Sequence, residues 1–207
     1  MPNWCSNSLV LTHPDASMIL KAIKAWNEGK FCATFVPEPD YTKVKVYPTF
    51  PDIVGPGPCK PDSAWWDWRV QNWGTKWEID SASDKVDEES SELNVDFSTA
   101  WSPPIKVYEA LTAQGFFVHA YYYEGGCSFC GRFTSMDGDE SFDIKGDSAW
   151  VHDNIPAEID DAFNIADQMA EYEGENQEEE NQSVIPVTQA APDDPLFPVR
   201  KLNIKED

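Results

Sequence analysis

The strongest constraint on the fold is the order in which strand-like and helix-like apolar patterns follow one another. A strand is followed by a helix, two strands, a second helix and a further strand. This is the order of the split βαβ, or ferredoxin-like, arrangement. We therefore predict an α+β fold in which an antiparallel sheet carries its helices on one face. In chain order, the segments are residues 8–12, 15–29, 77–79, 93–97, 102–115 and 116–123.

Both predicted helices have recognisable end signals. Asp15 is a favourable N-cap residue, and apolar residues then recur at helical spacing until Gly29. Ser102 precedes two prolines, which the first turn of a helix tolerates, and Gly115 follows the last apolar position. The pattern predicts a helix between each pair of signals.

The strands differ in how many of their faces should be buried. Residues 93–97 alternate apolar and polar side chains, which is typical of a half-buried strand. Residues 116–123 are almost continuously apolar, so we expect both faces of that strand to be covered. Residues 128–134 and 140–144 should extend the sheet.

The chain is expected to divide into three parts. Residues 1–150 form the ferredoxin-like domain, interrupted at about 30–75 by an insertion rich in proline, glycine and tryptophan. The insertion is expected to contain a short strand at 43–47 and to cover the free face of the sheet. Residues 151–173 form a C-terminal helix packed on the domain, and residues 174–207 form a flexible acidic tail.

The net charge of −22 is unevenly distributed. Residues 1–75 contain seven acidic and seven basic side chains, whereas the remainder contains thirty acidic and eight basic ones. Such a field repels phosphate backbones and attracts basic surfaces. We therefore predict a partner protein with a basic surface and no direct nucleic-acid binding.

The cellular location can be predicted from the membrane-spanning and secretory segments that the sequence does not contain. It contains no run of about 18 apolar residues, so we expect no membrane span. The first residues do not read as a signal peptide, and five irregularly spaced cysteines suit a reducing compartment. A cytoplasmic location in a bacterial host cell is the expectation.

Several short motifs together resemble the YubB-type ferredoxin-like family of small proteins carried by phages and plasmids. They are the segment Pro2-Asn3-Trp4-Cys5-Ser6-Asn7, the segment Asn72-Trp73-Gly74-Thr75-Lys76-Trp77, the segment Thr99-Ala100-Trp101-Ser102-Pro103-Pro104 and the strand end Tyr123-Glu124-Gly125-Gly126. The resemblance implies a ferredoxin-like fold and an origin in a mobile element. It implies no particular reaction.

Cysteines and acidic residues offer few sites for chemistry. Cys127 and Cys130 have the spacing of half a zinc site or of a redox pair, but a structural role is favoured because no second ligand pair is present. Four carboxylates near a turn miss the spacing of a calcium loop, so a solvated acidic turn is favoured. These four, Asp137, Asp139, Glu140 and Asp143, are instead predicted to contact a basic partner.

Nine tryptophans exceed what a core of this size needs. Core packing explains most of them, and an aromatic ligand pocket is the alternative. The polar contacts of such a pocket are expected from residues within the resembling motifs, namely Asn72, Lys76, Trp101, Tyr123 and Glu124.

These observations favour binding over catalysis. We predict a non-enzymatic acidic accessory protein that binds a host protein, as a counter-defence inhibitor or nucleic-acid mimic. The alternative is a domain that binds a small molecule or nucleotide in a tryptophan-lined pocket. No nucleophile, metal set or acid–base pair stands out, no cofactor is predicted, and the sequence does not indicate an oligomeric state.

Overall fold

The computed structural model describes residues 3–55, 57–79 and 85–183, and for 176–183 only the backbone. Its five strands form one antiparallel sheet in the order β2-β1-β3-β4-β5. The strands are β1 Trp4–Thr12, β2 Leu93–Ala100, β3 Phe117–Glu124, β4 Phe129–Thr134 and β5 Gly138–Asp143. The described helices are α1 Ala16–Asn27, α2 Phe31–Phe35, α3 Pro51–Val54, α4 Ala64–Asn72, α5 Ile105–Ala113, α6 Ser148–Asn154, α7 Ala157–Phe163 and α8 Ile165–Ser183.

The first three strands and helix α5 form the predicted split βαβ unit. Strand β1 pairs antiparallel with both β2 and β3, so β2 and β3 run parallel to each other. Helix α5 connects these two strands in the chain. Strands β3, β4 and β5 then follow one another as antiparallel neighbours. The ferredoxin-like α+β prediction is confirmed.

Residues 77–79 do not form the predicted strand. The carboxylate of Glu78 instead accepts hydrogen bonds from the backbone amides of Cys32, at 2.7 Å, and Ala33, at 2.9 Å. These amides lie in the first turn of α2 and have no partner within that helix. Glu78 thereby caps a helix that the sequence analysis did not predict.

The end signals of the first helix were interpreted correctly, and those of α5 only in part. Asp15 Oδ1 accepts a hydrogen bond from the amide of Ser17 at 2.8 Å, and Gly29 follows the helix with a φ of +66°. Ser102, in contrast, does not cap α5. Its hydroxyl donates to the carbonyl of Gly74, and α5 begins after Pro104.

One face of the sheet packs against α1, α2 and α5 and forms the main core. Side chains of β1, β2, β3 and β4 meet those of the helices there, and Trp73 of the insertion lies in the same core. The insertion therefore packs on the side of α1 and α5, and the prediction that it covers the opposite face is wrong. Buried members of this core include Leu9, Leu11, Ile23, Trp26, Trp73, Leu111, Val118 and Phe133.

The opposite face is covered by the C-terminal helices. Three helices occupy the region where one was predicted, because Pro156 and Asn164, at a φ of +51°, interrupt it. Their buried side chains pack with Cys130 and with the partly buried Tyr121 and Tyr123. Coverage ends there: Phe117, at the other end of β3, is 62% exposed, so only half of this strand is covered on both faces.

Two further predictions concern irregular segments. Residues 43–47 are not a strand, although the carbonyl of Val46 accepts a hydrogen bond from the amide of Cys59 at 2.7 Å.

The expected tail from residue 174 is helical as far as Ser183, and residues 184–207 lie outside the described part of the chain. Residues from Ala170 onward form a second structural unit, of which this helical segment is the described part. Within the described ranges, no helix has the length and apolarity to cross a membrane.

Ile159 tests whether the C-terminal helices are an integral layer of the fold. It is fully buried between α7 and the sheet. We expect Ile159→Ala to lower the free energy of unfolding by about 2–5 kcal/mol, because it removes buried methyl groups and leaves a cavity. Chemical denaturation measures this. The control is Ile53→Ala, since Ile53 is 81% exposed and should change stability by no more than about 0.5 kcal/mol. Equal effects of the two variants would contradict the packing.

Candidate functional site

Lys76 lies within a cluster of tryptophan side chains. Its ammonium nitrogen is 4.9 Å from the ring centroids of Trp77 and Trp101 and 5.8 Å from that of Trp66. The ring of Trp4 is 5.9 Å from that of Trp77, and the rings of Trp66 and Trp101 are 6.3 Å apart. We call these five residues the indole cluster. The rings of Trp66, Trp77 and Trp101 present their electron-rich faces to the cation, an attraction of about 0.5–2 kcal/mol per contact.

The register between β1 and β2 brings distant parts of the cluster together. Trp4 lies opposite Ala100, and the amide of Trp101 donates to the carbonyl of Asn3 at 2.9 Å, which extends the ladder by one bond. The hydroxyl of Thr75, fully buried, donates to the carbonyl of Ala100 at 3.1 Å. The loop that carries Lys76 is therefore tied to the end of β2.

A close backbone approach holds the same loop against the start of α5. Gly74 has a φ of +89°, and a Cβ atom there would lie 2.9 Å from the carbonyl oxygen of Pro103. Only glycine fits both the conformation and the space. Together with the hydrogen bond from Ser102 to Gly74, this contact fixes the backbone on either side of the indole cluster.

An ion pair anchors the helix that carries Trp66. The guanidinium of Arg69 donates two hydrogen bonds of 2.8 Å to the carboxylate of Glu38, and it also lies over the rings of Trp65 and Trp73. These hydrogen bonds from Arg69 hold the pKa of Glu38 below its usual value. Trp65 and Trp73 therefore serve this anchor and the core rather than the indole cluster.

The structure brings together two of the five residues predicted to line an aromatic pocket. Lys76 and Trp101 are in contact, as described above. The amide of Asn72 is engaged with the carbonyl of Trp68 at 2.8 Å. Tyr123 and Glu124 are neighbours in β3 and so project to opposite faces of the sheet, Tyr123 towards Phe163 of α7 at a ring distance of 6.1 Å.

Glu124 organises the turn after β3. Its carboxylate is buried and accepts hydrogen bonds from the amides of Gly126, at 2.8 Å, and Cys127, at 2.6 Å. A hydrogen bond to this carboxylate raises the pKa of the Cys127 thiol, and burial raises that of Cys130 to about 11. Both thiols are therefore protonated at neutral pH. In the described ranges, no three side chains of the ligating types lie together as a metal site would require.

The four carboxylates predicted to contact a partner do not form a patch by themselves. All four are exposed, but Asp139 and Asp143 lie on one face of β5 and Glu140 on the other. Asp137 accepts a hydrogen bond from the hydroxyl of Thr134 at 2.9 Å within the turn. In addition, Asp139 accepts one from the phenol of Tyr122 at 2.7 Å.

The C-terminal helices add carboxylates beside β5. Arg132 of β4 forms ion pairs with both Glu140 of β5 and Glu158 of α7, so strand and helix are adjacent. Asp153 of α6 and Asp161 of α7 are exposed. We call Glu140 of β5, together with the exposed carboxylates of α6 and α7, the acidic surface. Residues 137–169 contain ten acidic side chains and a single lysine or arginine, Lys145.

The indole cluster includes three residues that the pocket prediction did not name, namely Trp4, Trp66 and Trp77. Trp4 and Trp77 lie within the motifs that carried the family resemblance, so attention to the aromatic members of those motifs could have found them. Trp66 lies outside the motifs and offered no such signal.

A comparison with family models gives a match over the second part of the chain. The model described as a ferredoxin-like domain in Api92-like protein matches residues 72–185, more than half of the chain. The match includes Lys76, Trp77 and Trp101 but neither Trp4 nor Trp66. No curated protein and no solved structure matches the chain.

The anchor between Arg69 and Glu38 gives a pH-dependent prediction. Because the folded state lowers the pKa of Glu38, its contribution to stability is present above the ordinary value of 4.5 and is lost as the pH falls through the lowered pKa. We expect Glu38→Gln to cost about 1–2 kcal/mol at pH 7. The cost should shrink as the pH falls below 4.5, as measured by urea denaturation at several pH values.

Glu109→Gln is the matched control, because Glu109 pairs with Lys106 at an exposed position. Its cost should not exceed about 0.5 kcal/mol. A cost of Glu38→Gln that stays constant from pH 7 down to pH 3 would contradict the role of the anchor.

Proposed function

The chain belongs to the family of ferredoxin-like domains in Api92-like proteins, and on this premise we propose that it is a non-enzymatic accessory protein that binds a basic surface of a partner protein. The proposed contact is the acidic surface of β5, α6 and α7. Electrostatic binding requires an excess of one charge but no precise arrangement of catalytic groups. This chain has an excess of negative charge.

The observation that carries this proposal is the concentration of carboxylates around Arg132. Glu140 and Glu158 already neutralise this arginine. The exposed Asp153 of α6 and Asp161 of α7 have no basic partner among the described residues. The unneutralised charge extends a negative potential into solvent. Such a potential raises the association rate with an oppositely charged surface by about 10- to 1000-fold at low salt.

We propose further that the partner is a host protein in the bacterial cytoplasm and that binding inhibits it. The resemblance to proteins of phages and plasmids supports this assignment, since a mobile element gains from blocking host defence. A restriction or repair enzyme has a basic cleft for nucleic acid. Carboxylates at the acidic surface would occupy that cleft in place of phosphates.

A charge-neutralising variant tests the proposal. We expect the combination Glu140→Gln, Asp153→Asn and Asp161→Asn to weaken binding of the partner about tenfold at low salt, because exposed charge pairs contribute about 0.2–1 kcal/mol each. The measurement is capture from bacterial lysate at low and high salt with quantitative mass spectrometry. Titration of the purified partner, with a DNA duplex as competitor, follows.

The control changes the net charge equally at exposed positions elsewhere, as Asp52→Asn, Asp62→Asn and Asp96→Asn. It should retain the partner. Binding that resists both high salt and the substitutions at the acidic surface would refute the proposal, and failure of DNA to compete would refute mimicry.

A further inference from the structure

Lys76 is a half-buried cation without a carboxylate partner in the part of the chain that the structure describes. Among the described residues it forms no ion pair and no hydrogen bond, only contacts with indole rings. Other cations of the chain contrast with it, since Lys24, Lys43, Arg69 and Arg132 each lie within 4.0 Å of a carboxylate. A half-buried ammonium that meets none of the carboxylates in the described ranges is open to an external anion.

A second donor in the same cluster also lacks an acceptor. The indole nitrogen of Trp66 is buried and has no hydrogen-bond partner in the part of the chain that the structure describes. The indole nitrogen of Trp73, by comparison, donates to the carbonyl of Val36 at 2.8 Å. An unpaired buried donor destabilises the folded state, because it loses its hydrogen bonds to water and gains none in return. The ammonium of Lys76 and the indole N–H of Trp66 could both be satisfied by one negatively charged ligand that has several hydrogen-bond acceptors.

The remaining indoles offer flat surfaces to solvent. Trp4 is 53% exposed and Trp101 is 39% exposed. Trp101 also has a φ of +70°, a conformation that is strained for a bulky residue and that clusters at ligand sites. The bond from its amide to Asn3 helps to hold this conformation. Exposed indoles on a fixed backbone are suited to stacking on a planar ring.

We infer that the indole cluster binds a free mononucleotide. The base stacks on the exposed indoles, and the phosphate meets the ammonium of Lys76 and the N–H of Trp66. A nucleotide combines both required features, a planar ring and an anionic acceptor. A longer nucleic acid does not suit the site, because each added phosphate is repelled by the net charge of −22. This binding site is separate from the acidic surface, so either proposal can fail alone.

The test is isothermal titration calorimetry of the full chain in a phosphate-free buffer. The probes are AMP, GMP, CMP and UMP, the four matching nucleosides, and inorganic phosphate. At least one mononucleotide should bind with a stoichiometry of one and about tenfold more tightly than its nucleoside or phosphate alone, because the stacked base and the ion pair with the phosphate both contribute to affinity.

Variants separate the two contributions. Lys76→Met should weaken nucleotide binding about tenfold and leave nucleoside binding unchanged, whereas Trp101→Ala should weaken both. The controls are Lys21→Met, because Lys21 also lies 4.9 Å from an aromatic ring, that of Phe35, and Phe117→Ala, an exposed aromatic residue. Neither should change affinity. If circular dichroism shows that Trp101→Ala does not fold, Trp4→Ala replaces it.

Four outcomes would overturn the inference. They are the absence of binding by every mononucleotide at millimolar concentration, equal binding of inorganic phosphate (an adventitious ion only), tighter binding of single-stranded DNA, and equal losses from Lys76→Met and Lys21→Met.

Discussion

The antiparallel pairing of β1 with β2 is the interaction on which the other features depend. It sets β1 between β2 and β3 and thereby defines the split βαβ unit. The same register places Trp4 beside the end of β2, where Trp101 follows. A shift by one residue would turn every side chain of β1 to the opposite face, emptying the core of Leu9 and Leu11 and separating the indoles.

The two faces of the sheet are covered by different helices. One face is filled by α1, α2, α5 and Trp73, which together form the main core. The other is covered over β3 and β4 by α6, α7 and the first turn of α8, whose inner side chains are apolar and whose outer side chains are largely acidic. Covering that face therefore also places carboxylates beside β5, where Arg132 joins strand and helix.

Periodicity predicted the features that depend on neighbours in sequence. The alternation in β2, the cap at Asp15 and the glycine after α1 were identified from local spacing. The same period of two separates Tyr123 from Glu124, so their positions on opposite faces follow from sequence alone. The prediction of a strand at 77–79 was wrong for another reason. Glu78 caps α2, which lies some 45 residues away in sequence, and no local pattern predicts such a contact.

The sequence by itself determined the class of fold, the segregation of negative charge and the abundance of tryptophan, because each is a property of composition or of local spacing. Only the tertiary structure decided which three indoles surround Lys76, which face the insertion covers and which carboxylates lie beside Arg132. These arrangements join residues that are distant in the chain. They depend on strand register and on side-chain contacts across the sheet, which spacing along the chain does not specify.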